Sequence, residues 1–127
     1  MDKEKCLVLL RGTKEVYSIP LEQIVLIEAN EGWSKVYMAG NLCNLENPID
    51  IPLLLKQIFY EIHLQIDGDN VFVRCGRSSV INLSYVRKID GFRQTIHLSD
   101  GINYYNLKVP SAVCKELLIL MKKRIKT

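Results

Sequence analysis

Short apolar runs, broken by turn residues every eight to twelve positions, set the rhythm of this chain. Cys6 to Arg11 is one run, closed by Gly12-Thr13. Val16 to Pro20 resumes as a strand. Ile24-Val25-Leu26-Ile27-Glu28-Ala29 is a second apolar run, and Asn30-Glu31-Gly32 punctuates it. Trp33 to Met38, rich in aromatic and β-branched residues, predicts the hairpin partner. Leu42 to Asp50 predicts a further strand. Asp50 is placed to cap a helix over 51–62, with Pro52 in its first turn, where a proline costs no helix bond. Leu53, Leu54, Ile58 and Ile62 supply its apolar face. Asp67-Gly68-Asp69-Asn70 predicts a turn into strand Val71–Cys75, and Asn82-Leu83-Ser84 a tight turn. Val86 to Ile89, the Asp90-Gly91 turn and Phe92 to Leu98 form a hairpin. Ser99-Asp100-Gly101 turns into Ile102–Val109. Pro110-Ser111 opens a closing helix to about Ile125, with Val113, Leu117, Leu120, Met121 and Ile125 at the helical period. The pattern predicts a mainly β, antiparallel fold with one or two helices, at about 51–62 and 111–125.

Composition narrows the class. The 127 residues are one domain's worth, and 48% are hydrophobic, enough for a core without covalent staples. No apolar run approaches the ~18 residues of a membrane helix, and no signal peptide follows Met1-Asp2-Lys3-Glu4-Lys5, so a cytoplasmic protein is expected. Cys6, Cys43, Cys75 and Cys114 are 37, 32 and 39 residues apart. Zinc modules need close pairs, and reduced thiols are the expectation. Cys75, beside a polar loop, is a candidate redox site against the plainer reading of a small buried hydrophobe. Asp67-Gly68-Asp69 hints at calcium, but the twelfth position of such a loop is Ser78 and not the clamping glutamate. His63 and His97 are isolated, and neither a nucleophile elbow nor a phosphate loop occurs. No cofactor, metal or catalytic activity is expected.

Charge is divided unevenly. Residues 1–73 carry 6 Lys/Arg and 11 Asp/Glu, a net −5, and residues 74–127 carry 11 and 3, a net +8, which sum to the +3 of the chain. A basic half invites a polyanion. At the sign change lies Phe72-Val73-Arg74-Cys75-Gly76-Arg77-Ser78-Ser79-Val80-Ile81-Asn82-Leu83, which reads as strand, loop, strand. Its loop offers a guanidinium and a hydroxyl on small neighbours, chemistry suited to phosphates and base edges.

Three passages together resemble the LytTR DNA-binding domain of bacterial transcription regulators. Ile24 to Ala29 followed by Gly32-Trp33-Ser34 is similar to that family's strand ending in Ile-Glu-Ala before an aromatic. Phe72 to Leu83 resembles its Phe-x-Arg-x-His-Arg-Ser-x-x-x-Asn signature. Leu98-Ser99-Asp100-Gly101 through Val109-Pro110-Ser111 resembles its last hairpin, which normally ends in Ser-Arg before the closing helix. The likeness runs over about residues 8–125 in order, within a single domain of 1–127. It implies an elongated β-β-β sandwich whose edge loops enter the major groove of double-stranded DNA, at paired direct repeats, with a homodimer formed on the DNA. It implies a regulator that answers a separate signalling protein, stand-alone or excised, because only a few residues precede the domain.

The resemblance places contact loops at 32–35, 76–78 and 108–115, and so nominates Ser34, Lys35, Gly76, Arg77, Ser78, Lys108, Ser111 and Lys115, with Arg74 on the adjoining strand. Arg77 is assigned to guanine or phosphate, against a plain surface ion pair. Ser78 and Arg74 are each balanced between phosphate and structural roles. Lys35 is assigned to phosphate. Trp33 is weighed as half-buried core against stacking on DNA, with core favoured. Asn82, though part of the signature, is read as a turn cap. Two positions depart from the family: Gly76 stands for the signature histidine and Ser111 for the final arginine. Lys108 or Lys115 would then replace that arginine, without its planar fork. The departures motivate an alternative, a LytTR-like protein-interaction module with weakened or lost DNA specificity that pairs through an exposed strand edge or the last helix. An RNA-binding role ranks below both for want of an aromatic stacking platform.

Overall fold

The computed structural model describes residues 5–40, 48–66 and 71–125. Ten strands are present there: β1 (Cys6–Arg11), β2 (Glu15–Pro20), β3 (Ile24–Asn30), β4 (Trp33–Met38), β5 (Ile49–Ile51), β6 (Phe72–Cys75), β7 (Ser79–Asn82), β8 (Val86–Asp90), β9 (Thr95–Ser99) and β10 (Tyr104–Lys108). Helix α1 covers Leu55–Gln65 and α2 Ser111–Ile125, and two single 3-10 turns, Leu21–Gln23 and Leu83–Tyr85, lead into β3 and β8. The strands form three antiparallel sheets, ordered β1-β2, β5-β4-β3-β7-β6 and β10-β9-β8.

The five-stranded sheet is the middle layer, buried on both faces. One face packs Ile24, Ile27, Val36, Met38 and Val80 against Leu7, Leu9 and Ile19 of the β1-β2 ribbon and Leu55, Ile58 and Ile62 of α1. The other packs Val25, Leu26, Cys75 and Ile81 against Ile96, Leu98 and Leu107 of the third sheet and Cys114 and Leu117 of α2. Double burial explains the unbroken apolar run of β3, since a strand covered on both sides has no solvent face to keep polar. Each fully buried Leu or Ile there contributes on the order of 2 kcal/mol. A bulge in β3 between Ile24 and Leu26 interrupts the alternation. It turns the neighbouring Val25 and Leu26 to the same core, as an extra residue in a ladder does.

Several expectations are corrected. The helix does not start at Asp50. Ile49–Ile51 is the edge strand β5, with Ser34 opposite Ile51, and α1 begins at Leu55. Ile51 precedes Pro52, and a residue before proline is driven out of helical backbone. The helix start is closed instead by the Gln57 side chain, whose Oε1 accepts from the Leu54 amide at 2.9 Å. In α2 the buried stripe includes Cys114, which the apolar period left out. The strands over Phe92–Leu98 and Ile102–Val109 are shorter, at Thr95–Ser99 and Tyr104–Lys108. The turn expected at 67–70 and most of the segment from Leu42 lie outside the described residues.

Candidate nucleic-acid interface

The hydrogen-bond register collects the three nominated loops at one end of the molecule. Strands β3 and β7 run antiparallel with Glu28 opposite Ser79, and the Ala29 amide donates to the Ser78 carbonyl at 2.8 Å. The β3–β4 turn at Glu31-Gly32 and the β6–β7 loop at 76–78 therefore share one end of the middle sheet. In the third sheet Lys108 is opposite Thr95, and the Val109 amide donates to the Gln94 carbonyl at 3.0 Å. The entry to α2 and the β8–β9 tip thus share one end of that sheet. Helix α2 joins the two. Cys75 packs in one cluster with Cys114 and Leu117, and a methyl built on Gly91 would stand 3.8 Å from Leu118 Cδ1. The 76–78 loop and the 91–94 tip both flank the N-terminal half of α2.

Backbone at this end is fixed while the cationic tips are not. Arg74 Nε donates to the Gly76 carbonyl at 3.1 Å, so Arg74 braces the loop. Asp90 Oδ1 accepts from the Phe92 and Arg93 amides at 3.0 and 3.1 Å. Those two amides, the Arg93 one first, hold the Asp90 carboxyl below the usual carboxylate range against a smaller desolvation effect. By contrast Arg77, Lys108 and Lys115 are exposed and Lys35 half-buried, and none has a hydrogen bond or ion pair among the described residues. Lys35 faces Asp50 across the β4–β5 ladder without reaching it. Ser78 and Ser111 are also exposed.

Backbone strain gathers here too. Among the described residues only two side-chain-bearing residues have left-handed backbone, Glu31 (φ 45°) and Gln94 (φ 54°), and both sit on tips at this end. Such conformations cost on the order of 1 kcal/mol and persist where the surroundings hold them. Gly76 is left-handed as well, with φ 68°, and no atom lies within 4 Å of where its Cβ would be. A histidine at this position would have to adopt left-handed backbone, which glycine adopts freely.

Not every nominated residue faces outward. Ser34 is fully buried, and its Oγ donates to the Leu53 carbonyl at 2.8 Å, which fastens the segment entering α1. Its side chain is not offered to a ligand. Trp33 takes the opposite course. It is 47% exposed, and with Asn30, Lys35 and Asp50 it lines a shallow hollow beside the β3–β4 turn. Asn82 is buried and caps its turn: Oδ1 accepts from the Ser84 amide and Nδ2 donates to the Ile24 carbonyl, both at 2.9 Å. Cys75 is buried, and desolvation, with smaller pushes from Cys114 and Glu116, drives its thiol up to about 12. It stays a protonated core thiol at neutral pH, so the redox reading has no thiolate to work with. His63 faces the Phe59 carbonyl and His97 the Asn106 side chain, on separate elements. No group of three or more metal-ligating side chains gathers among the described residues, and no helix there is long and apolar enough to cross a membrane.

The profile of the LytTr DNA-binding domain matches residues 14–121. The chain belongs to the LytTr DNA-binding domain family. DNA binding and transcription regulation are what membership implies, and the family is one of binding domains rather than enzymes. Among solved structures, the chain is similar to the LytTr DNA-binding domain of a Bacillus cereus protein described as a methyl-accepting/DNA response regulator. The TM-score is 0.57 at 19% identity, over 94% of this chain and 98% of that one. At that identity the likeness speaks for the fold, and the three-sheet sandwich agrees with it. No curated protein matches.

One element of this LytTr domain's loop end went unread in the sequence. The tip at 91–94 carries Phe92, which is wholly exposed, and Arg93. The Asp90-Gly91 turn was legible, but Phe92 looked like the first residue of the following strand. The signal available was the pair of amides that an aspartate two residues upstream can hold, which keeps such a residue in the turn.

Proposed function

We propose that this LytTr domain binds double-stranded DNA sequence-specifically through its loop end, in the major groove, and so regulates transcription. The observation that carries the reading is the convergence of Arg77, Lys108 and Lys115 on one end, exposed and without partners among the described residues. A cation held on a fixed loop with no carboxylate to neutralise it is available to a phosphate or a base edge. Arg77, with a planar fork suited to guanine O6 and N7, takes the base-reading role. Lys35, Lys108 and Lys115 take phosphates, with Ser78 and Ser111 as hydroxyl donors, Gly76 as the hinge of the loop and Arg74 as its brace. Ser34 is not in this set. Binding at paired direct repeats, a homodimer formed on the DNA, a cytoplasmic location and a signalling partner complete the proposal.

The test is selection from a randomised duplex pool, then anisotropy titration of the enriched site at several salt concentrations. A repeated motif is expected, with affinity falling steeply as salt rises, because each Lys or Arg on a phosphate releases counterions. Uniform weak binding to all duplexes would refute sequence-specific recognition. It would favour the second reading, a protein-interaction module. That reading has its own support in the apolar Val8, Leu10, Tyr60 and Leu64, which stand exposed on β1 and α1.

A further inference from the structure

We infer that Phe92, at the β8–β9 tip, is a base-reading residue that packs on the 5-methyl group of a thymine in the major groove; the inference rests on the DNA-binding reading above. Phe92 is the most exposed large apolar side chain among the described residues, at 102%. An isolated Leu or Val on a surface needs no explanation, but an entire phenyl ring held in water costs what burial of that ring would return. No described residue covers it. Its placement is nonetheless built. The Asp90 carboxylate accepts from the amides of Phe92 and Arg93, Gln94 is held in left-handed backbone, and the Gln94 carbonyl is tied to Val109 at the exit of β10. A tip with three such restraints fixes the backbone from which the ring projects.

Position and charge then select the occupant. The tip lies at the loop end, beside the N-terminal half of α2, with Arg93 next to the ring and Lys108 lining the same hollow as Phe92 and Thr95. A membrane surface or an apolar protein groove would be met by a wider apolar patch, whereas here one ring stands among cations. The apolar group that comes with a polyanion is the thymine methyl, the one hydrophobic feature displayed in the major groove. Cations on either side would hold flanking phosphates while the ring covers the methyl.

The experiment uses the full chain and the duplex enriched by the wild-type protein. Each thymine of that duplex is replaced in turn by deoxyuridine, which removes only the methyl, and both wild type and Phe92→Ala are titrated. For wild type, one position is expected to lose about fourfold in affinity, the size of one buried methyl. Phe92→Ala is expected to bind about tenfold more weakly than wild type and to show no loss at that position, with an unchanged melting temperature. Wild-type affinity in Phe92→Ala, or the same uracil sensitivity in both proteins, overturns the assignment of Phe92 and leaves the DNA reading standing. Failure of wild type to enrich any duplex overturns the DNA reading, and this inference falls with it.

Discussion

The two ends of the sheets treat their polar groups in opposite ways. At the end away from the loops, polar side chains are used as fasteners. Asp100, on the β9–β10 turn, accepts from the Ile102 and Asn103 amides at 2.8 and 2.6 Å, from the Asn103 side chain at 3.1 Å, and from the Gly40 amide at 2.6 Å. The last bond ties the third sheet to the exit of β4 in the middle sheet. Tyr85 donates to the Glu22 carbonyl at 2.6 Å, joining the two 3-10 turns, and Asn82 reaches Ile24. At the loop end the backbone is just as well held, yet Arg77, Lys108 and Lys115 have no partner among the described residues. Asp100 shows how firmly the fold can hold a charge where that charge fastens two sheets. Exposed cations gathered at one end, on a loop, at a strand end and on the first turns of a helix, suit an external partner.

The largest effect expected from breaking this contrast is at the fastened end. Asp100→Ala should cost about 2–3 kcal/mol of unfolding free energy, since it strands several donors at once. Affinity of the folded fraction for DNA should stay as it was. Chemical denaturation followed by fluorescence checks this, and a cost below about 0.5 kcal/mol would show that the Gly40 tie does not hold the sheets. Acid sharpens the same point. Burial pushes the Asp100 carboxyl up, but the amides of Asn103, Gly40 and Ile102 outweigh it and bring it down to about 2. A lowered carboxyl stabilises the fold above the ordinary carboxylate range, and that contribution fades as pH falls from about 4 toward 2. Wild type should lose stability over that window more steeply than Asp100→Ala.

At the loop end the consequences reverse. Arg77→Ala should weaken binding to the selected duplex by ~1–3 kcal/mol and relax the preference at one base position. Its melting temperature should not move, because the guanidinium holds nothing in the free domain. Undiminished affinity and specificity would make Arg77 an ordinary surface cation. Lys108→Gln is expected to act more mildly and evenly across sequences, and to lower the slope of log affinity against log salt by about one. A change of sequence preference with an unchanged slope would move Lys108 from phosphate to base.

How much of this was legible depended on whether the signal was periodic, positional or tertiary. The apolar run at Ile24–Ile27 announced a strand, but neither its burial on both faces nor its bulge was read, because composition carries no register. Ser34 was misjudged although its signal was present. It has the same strand parity as Val36 and Met38, which puts it on the core face and sends Trp33 and Lys35 to the other. Loop membership was given more weight than alternation. The exposed place of Arg77 was readable, because it lies between small residues in a strand–loop–strand stretch. The Asp100 fastening was not, since Gly40 is sixty positions away and only the fold brings its amide within reach. The left-handed backbone of Glu31 and Gln94 was equally hidden, because neither residue type advertises it.

That strain yields the smallest effect and the finest test of the contrast. At the fastened end the left-handed position of the Asp100 turn is filled by a glycine, Gly101 (φ 95°), at no steric cost. At the loop end Gly32 and Gly76 do the same, but Glu31 and Gln94 hold positive φ with side chains. Glu31→Gly and Gln94→Gly should each stabilise the domain slightly, by about 0.5 kcal/mol, as relief of ~1 kcal/mol of strain is offset by the entropy a new glycine loses on folding. Gly101→Ala should destabilise by about 1 kcal/mol. If the strain serves to aim the tips, the two stabilised variants will also bind the selected duplex less tightly, since a looser tip must be ordered on binding. A gain in stability with unchanged affinity would separate the strain from the interface. A loss of stability in both would mean that the Glu31 and Gln94 side chains secure their turns, and the loop end would then differ from the fastened one in its free cations alone.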